Sequence, residues 1–259
     1  MSMQQNQKKL KKGNSLRAPK SIARKYVLGP NTKFVITEAY NSARTNLIFA
    51  LSTSTSRVIT FTSPSPAEGK STTCLNMAIS FAATGARTLL IDADMRKPVI
   101  HSLLKLTKGN GLSSILSGMC TVAEAIRSNV RENLDVITSG TIPPNPTELL
   151  GSPNMTELLN VLSNHYEYIL IDTPPVNVVS DSQLFNSMAA GIVLVVRENA
   201  TNHNEISRAL SLIKLANGKI MGFIKTACNG NSRGGYYKKS KYGYSNYGYS
   251  YKETDNDDD

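Results

Sequence analysis

The sequence contains no tryptophan, only three histidines and only three cysteines in 259 residues. Cys74, Cys120 and Cys228 lie far apart, with no CxxC pair. That spacing excludes a disulfide framework, argues against a zinc site and fits a reducing compartment. His101, His165 and His203 are equally scattered, and no metal is assigned to them. No apolar run approaches the roughly 20 residues that cross a bilayer. The first lysines are followed by no apolar stretch, so a secretory leader is not expected. These absences point to a chain that works in the cytoplasm. Present instead is a hydrophobic fraction of 40%, enough for a sizeable core. The length suits one large α/β domain or two small ones.

The net charge is +10, but it is unevenly placed. Residues 1–33 hold nine basic side chains and no acidic one. Residues 34–232 hold 15 basic and 14 acidic residues, a net of +1. Residues 233–252 add five basic residues, and residues 253–259 cancel them with five acidic ones. The excess therefore belongs to an N-terminal arm. Such an arm suits an anionic surface, nucleic acid or an acidic partner, or is simply a solvated leader. Composition divides the chain into this arm (1–33), a domain (34–230) and a low-complexity tail (231–259).

The domain reads as repeated βα units. Short strands are expected at Arg57–Thr62, Thr88–Ile91, Leu134–Ile137, Tyr168–Ile171, Gly191–Val196 and Lys219–Ile224. Several bear little or no charge, as in a mostly parallel sheet covered on both faces by helices. Helices are expected at Thr37–Leu51 and Ser71–Ala83, the latter with Leu75, Ala78, Ile79 and Ala82 on one face. The segment Thr121–Ile126 is left open between a docking face and plain core.

The most informative stretch is Ser63-Pro-Ser-Pro-Ala-Glu-Gly-Lys-Ser-Thr-Thr73, between a strand and a helix. Gly69-Lys70-Ser71 matches the end of the GxxxxGK[ST] phosphate loop, although Pro64 stands where that pattern has its first glycine. Backbone amides at a helix N-terminus meet phosphates there. Lys70 supplies a point charge, and the Ser71 hydroxyl is a ligand for Mg²⁺. Asp92 and Asp94 end the next strand, and Asp172 ends another. Strand C-termini line the ligand crevice of such sheets, and carboxylates with phosphate oxygens and water suit Mg²⁺. A single strand-end Asp is more often a helix cap; three beside a GKS loop are not.

These segments resemble the bacterial tyrosine kinases. Asp92-Ala-Asp94-Met-Arg96-Lys97-Pro98 is similar to their DxDxRKP box. Ile169-Leu-Ile-Asp172-Thr-Pro-Pro175 is similar to their second carboxylate strand, and Gly140–Leu150 to another of their segments. The resemblance covers roughly residues 34–251. It implies a P-loop NTPase-like α/β fold that uses ATP and Mg²⁺, and a role in capsule or exopolysaccharide synthesis. The loop Pro66, Ala67, Glu68, Gly69, Lys70, Ser71 and Thr72 would hold the nucleotide, and Ser71, Asp94 and Asp172 the metal. Catalysis would rest on Lys70, Asp92 and Asp94, with Asp92 taking the phenolic proton; the two Asp roles could be exchanged. Tyr236, Tyr237, Tyr242, Tyr244, Tyr247, Tyr249 and Tyr251 would be the phosphorylation targets. They are interleaved with Gly, Ser, Asn and Lys, so a disordered tail is expected. Extended, residues 231–251 span roughly 70 Å, enough to reach a neighbouring subunit.

The resemblance also implies partners. A transmembrane chain-length-determinant-type adaptor would recruit and activate the chain at the inner face of the membrane. A cognate tyrosine phosphatase, sugar-nucleotide enzymes as substrates and a ring of identical subunits would complete the set; no nucleic acid is expected. The ring motif ExxRxxR survives as Glu38 and Arg44, but Asn41 replaces the first arginine. Thr226 stands where the family often has an Asn near adenine, and no base contact is assigned to it. Two rivals remain. A partitioning-type ATPase would carry a second lysine at position 65, where Ser65 stands. A nucleic-acid binder would use the basic arm and the Tyr-rich tail.

Overall fold

A computed structural model describes residues 24–228. The chain divides into two units, Met1–Ala227 and Cys228–Asp259, and the fold below is that of the first. The first 23 residues of the basic arm and the seven tail tyrosines lie outside the described residues.

The elements are α1 (Phe34–Leu51), β1 (Val58–Thr62), α2 (Lys70–Ala82), β2 (Thr88–Asp92), α3 (Ile100–Leu103), α4 (Leu112–Leu116), α5 (Val122–Ala125), β3 (Ile126–Arg131), β4 (Leu134–Ile137), α6 (Pro146–Leu150), α7 (Pro153–Ser163), β5 (Tyr168–Asp172), a 3-10 turn (Asp181–Phe185), β6 (Gly191–Arg197), α8 (His203–Leu215) and β7 (Ile220–Thr226). The strands form one sheet in the order β3-β4-β2-β5-β1-β6-β7. Every pairing is parallel except that of β3 with β4.

Both faces of the central strands are buried, which is why their sequences show no polar alternation. Side chains of a strand alternate between faces. Leu90 and Leu170 point into a core with Leu51, Leu75 and Phe81 from α1 and α2. Their neighbours Leu89, Ile91, Ile169 and Ile171 face Leu158, Leu162 and Phe185 on the other side. Register places Asp92 opposite Asp172, and Phe61 of β1 opposite Asp172 as well. The phosphate loop that follows β1 and the two carboxylates therefore share one end of the sheet.

Three features depart from the sequence expectation. Strand β3 was not expected, because its residues Ile126–Arg131 are largely polar and half-exposed on an edge. Thr121–Ile126 is neither one core nor one docking face. Thr121 and Glu124 form a reciprocal cap for α5, and the strand begins at Ile126. Helix α1 begins at Phe34 rather than Thr37, and Lys33 precedes it without a side-chain cap. The closing strand β7 is also an edge and exposes Phe223.

Residues 24–33 lie against this core. The side chain of Asn76, buried in α2, accepts from Leu28 N (2.9 Å) and donates to Tyr26 O (2.8 Å). The compositional break at residue 33 and the edge of the packed body thus fall at different positions.

Candidate active site

The loop after β1 is shaped by its own backbone demands. Gly69 has φ +85°, a left-handed conformation that glycine adopts without penalty. A Cβ there would meet Thr226 at 3.6 Å, an ordinary contact, so it is the backbone torsion rather than space that favours glycine. Ala67 takes φ +67°, and its carbonyl accepts from Arg197 Nη1 at 3.0 Å. Glu68 braces the loop from within. Its Oε1 accepts from Ser65 N (3.2 Å) and from Thr201 Oγ1 (3.0 Å), while its carbonyl accepts from Thr226 Oγ1 (2.7 Å). Pro66, Ala67 and Gly69 are exposed, Ser71 and Thr72 half-buried, and Lys70 opens α2. Since Gly69 brings no side chain to cap that helix, its first amides face the loop as an anion cradle.

The charged centre lies beneath. Lys70 Nζ is 2.5 Å from Asp172 Oδ1, 3.8 Å from Asp94 Oδ2 and 3.1 Å from Ser71 Oγ. Asp92 is fully buried; its Oδ1 accepts from Asp94 N and its Oδ2 from Ile100 N, both at 3.2 Å. Asp94 reaches the surface slightly and accepts from Lys97 N at 2.9 Å. Burial, then the neighbouring charge of Asp172, pushes the Asp92 carboxyl well above the usual carboxylate range. Burial also raises Asp172, against the opposing pull of Lys70. For Lys70, burial alone would lower the ammonium, but Asp172 and Asp94 outweigh it and hold it above its ordinary value.

The oxygen set fits a hard divalent cation. Asp172 Oδ2 is buried without a hydrogen-bond partner, and Ser71 Oγ and Asp94 lie around the same lysine. Among the described residues no three His, Cys, Asp or Glu side chains form a metal-binding group. Mg²⁺, where it binds, would be held there by one or two protein oxygens, water and phosphate.

The structure thus brings together every residue expected at the loop and the strand ends. Glu38 and Arg44 lie on α1, away from the loop. Asn41 links them: its Nδ2 donates to Glu38 Oε1 (2.9 Å) and its Oδ1 accepts from Arg44 Nη1 (3.1 Å). Arg44 also donates to Ser80 O at 2.6 Å. One buried residue beside the site, Asp181, had no sequence signal of its own. The buried Asp181 accepts from Arg96 Nε (3.0 Å) and from Thr147 Oγ1 (2.8 Å), and Arg96 Nη2 donates to Thr147 Oγ1 (2.8 Å). Arg96, inside the DxDxRKP box, and Thr147, inside the Gly140–Leu150 segment, were marked in advance, but Asp181 was not.

A parallel sheet, a GKS loop opening a helix and strand-end aspartates on its lysine define a P-loop nucleotide-binding protein. A family model described as AAA domain matches residues 56–221. The chain is 38% identical over 212 residues to tyrosine-protein kinase YwqD of Bacillus subtilis, covering 82% of this chain and 87% of that one. It is 37% identical over 192 residues to the putative tyrosine-protein kinase CapB of Staphylococcus aureus, covering 74% and 84%. Among solved structures, the chimerical protein CapA2B2 superposes with a TM-score of 0.73 at 39% identity, covering 76% of this chain and 86% of that one. The chain belongs to the bacterial tyrosine-protein kinase family. That membership selects the kinase over the partitioning ATPase and the nucleic-acid binder.

Proposed function

We propose that the protein is an ATP- and Mg²⁺-dependent autokinase that phosphorylates tyrosines of its own C-terminal segment on a neighbouring copy, and that it regulates capsule or exopolysaccharide synthesis. The observation that carries the reading is the Lys70 ammonium, held by Asp172 and Asp94 beside Ser71 at the head of α2. Lys70 and the loop amides from Pro66 to Thr72 bind the phosphates. Ser71, Asp94 and Asp172 would hold Mg²⁺, which supplies charge neutralisation on the phosphate oxygens. The tyrosine oxygen forms a bond to the γ-phosphorus as the bond from that phosphorus to the β,γ-bridging oxygen breaks, and ADP carries the electron pair away. Asp92 accepts the phenolic proton. The two aspartates could exchange this role, Asp94 being the one that reaches the surface, and a loose transition state asks more of positioning than of base strength.

The remaining partners follow the same reading: a transmembrane chain-length-determinant-type adaptor, a tyrosine phosphatase, sugar-nucleotide enzymes as further substrates, and a ring of copies formed through Glu38 and Arg44. Among the described residues no helix is long and apolar enough to cross a membrane, so attachment at the inner face of the membrane is assigned to the adaptor. The test is mass spectrometry of the chain after incubation with Mg²⁺ and ATP, alone and with the adaptor's cytoplasmic segment. Phosphate on Tyr236–Tyr251 supports the reading. ATP turnover without phosphotyrosine would overturn it.

A further inference from the structure

Asp94 stands on a stretch without regular secondary structure, between the end of β2 at Asp92 and the start of α3 at Ile100. The first part of that stretch is pinned from below. Ala93 N donates to Asp172 O (2.8 Å), Asp94 N donates to Asp92 Oδ1 (3.2 Å), and the Met95 side chain is fully buried. The side chain of Arg96 then reaches across to two other segments. Its Nε donates to Asp181 Oδ2 (3.0 Å), and its Nη2 donates to Asp181 Oδ1 (3.4 Å) and to Thr147 Oγ1 (2.8 Å). Thr147 Oγ1 in turn donates to Asp181 Oδ1 (2.8 Å). The Asp181 side chain is fully buried, whereas that of Arg96 is 39% exposed. A buried carboxylate is costly unless it is paired. Among the described residues, Arg96 is the ion-pair partner of Asp181, and Asp181 makes no ion pair with Lys70.

We propose that Asp181 is a positioning residue for the metal centre: it keeps the Arg96 guanidinium off Asp94, leaving that carboxylate to Lys70 and Mg²⁺. This rests on the reading of Asp94 as a metal ligand given above. Asp94 is a ready alternative partner for Arg96. The hydrogen bond to Asp181 raises the Arg96 guanidinium above its ordinary value, burial opposes, and the charges of Asp181 and then of Asp94 add to the rise. Asp94 therefore already lies within the electrostatic reach of this side chain. Its Oδ1 accepts from Lys97 N (2.9 Å), but its Oδ2 is 3.8 Å from Lys70 Nζ, too far for a hydrogen bond. An arginine fork binds a carboxylate through two parallel bonds, and a guanidinium on Asp94 would take one of the few protein oxygens open to Mg²⁺. Asp181 prevents that by holding the Nε and Nη2 edge of the fork from a fixed point. It opens the 3-10 turn whose Phe185 is buried with Ile169 and Ile171 in the core. Thr147, from α6, holds the same Nη2, so a change of partner breaks three hydrogen bonds at once.

The test reads metal binding rather than turnover. The full-length protein is loaded with ADP, Mg²⁺ is titrated in by calorimetry, and ADP affinity is measured separately in EDTA. Asp181→Asn keeps the side-chain volume but offers the guanidinium no charge. It should raise the Kd for Mg²⁺ about tenfold, the loss typical of a partner that orients a metal ligand, while the Kd for ADP in EDTA stays within about twofold. Adding Arg96→Met removes the competing guanidinium, so the double variant should return to within about threefold of the parent. A residue that merely braced the loop predicts the opposite, because the double variant loses both halves of the brace. Thermal melts in EDTA establish that each variant is folded. Thr147→Val, at a half-buried position, loosens the same fork more mildly and should raise the Kd for Mg²⁺ about threefold even where Asp181→Asn does not fold. Unchanged Mg²⁺ affinity in Asp181→Asn and Thr147→Val, or a double variant as weak as Asp181→Asn, overturns the proposal. If the parent binds ADP equally well with and without Mg²⁺, the metal role of Asp94 itself fails, an outcome distinct from these.

Discussion

Lys70 Nζ lies 2.5 Å from Asp172 Oδ1, and both side chains are buried. This one ammonium balances a carboxylate cluster that also includes Asp94 at 3.8 Å. Removing one partner of a buried pair leaves uncompensated charge, at a cost of about 3–5 kcal/mol. Lys70→Met should therefore lose stability as well as activity. We expect phosphotyrosine formation to fall by at least about 100-fold, as when a positioned transition-state contact is removed, and the unfolding midpoint in EDTA to drop by several degrees. Thermal melts and phosphate-transfer assays on one preparation check both. Retained self-labelling would refute the lysine's assignment.

Glu68 gives a pH dependence. Burial raises its carboxyl from 4.5 to about 7, Thr201 and Ser65 oppose through hydrogen bonds, and the charge of Glu205 adds a smaller upward push. Since the folded state favours the protonated form, its stabilising contribution is complete below about 4.5 and is lost as pH rises through about 7. Glu68→Gln keeps a neutral side chain throughout. Its melting temperature relative to the parent should rise between these two pH values and then level off, by up to roughly 3 kcal/mol in stability. A difference that stays flat across that window would show that Glu68 is already ionised in the fold.

Much of the active centre was legible because its chemistry is local in sequence. Gly69-Lys70-Ser71 sits on one turn, and Asp92, Asp94 and Asp172 end strands whose apolar runs announce them. Parallel register then brings Asp92 level with Asp172. The unreadable parts depend on contacts distant in sequence or on edges. Strand β3 carries Arg127, Ser128, Asn129 and Arg131, so no apolar pattern marks it, and only pairing with β4 makes it a strand. Asp181 gains its meaning from Arg96, 85 residues away. Asn76 reads as a polar interruption of a helix until Tyr26 and Leu28 fold against it.

Gly111, just before α4, packs tightly against the backbone that follows β4. A Cβ there would lie 2.3 Å from Thr138 O and 2.4 Å from Gly140 N, both backbone atoms that cannot swing aside. Gly111→Ala should therefore destabilise the protein by about 1–3 kcal/mol through overpacking. Its φ of −164° is ordinary extended backbone, so the cost is contact rather than torsion. Chemical denaturation measures it directly, and an unchanged midpoint would mean that the 111–113 and 138–140 segments separate easily.

Asn41 decides how α1 spends its charged groups. Its amide donates to Glu38 and its carbonyl oxygen accepts from Arg44 and from Ser80 Oγ, closing the three-residue motif on its own subunit. Asn41→Arg has no acceptor to offer. It should lose the bonds that Arg44 and Ser80 Oγ donate to residue 41 while still donating to Glu38, cost about 1 kcal/mol per lost hydrogen bond within the subunit, and present a second guanidinium on the α1 surface. Phe34, Val35 and Phe49 are already exposed on that helix. The expected result is a shift to a larger oligomer in light scattering at equal concentration, reversed by Arg44→Ala in the same background. Identical masses for parent and variant would show that residue 41 does not control assembly.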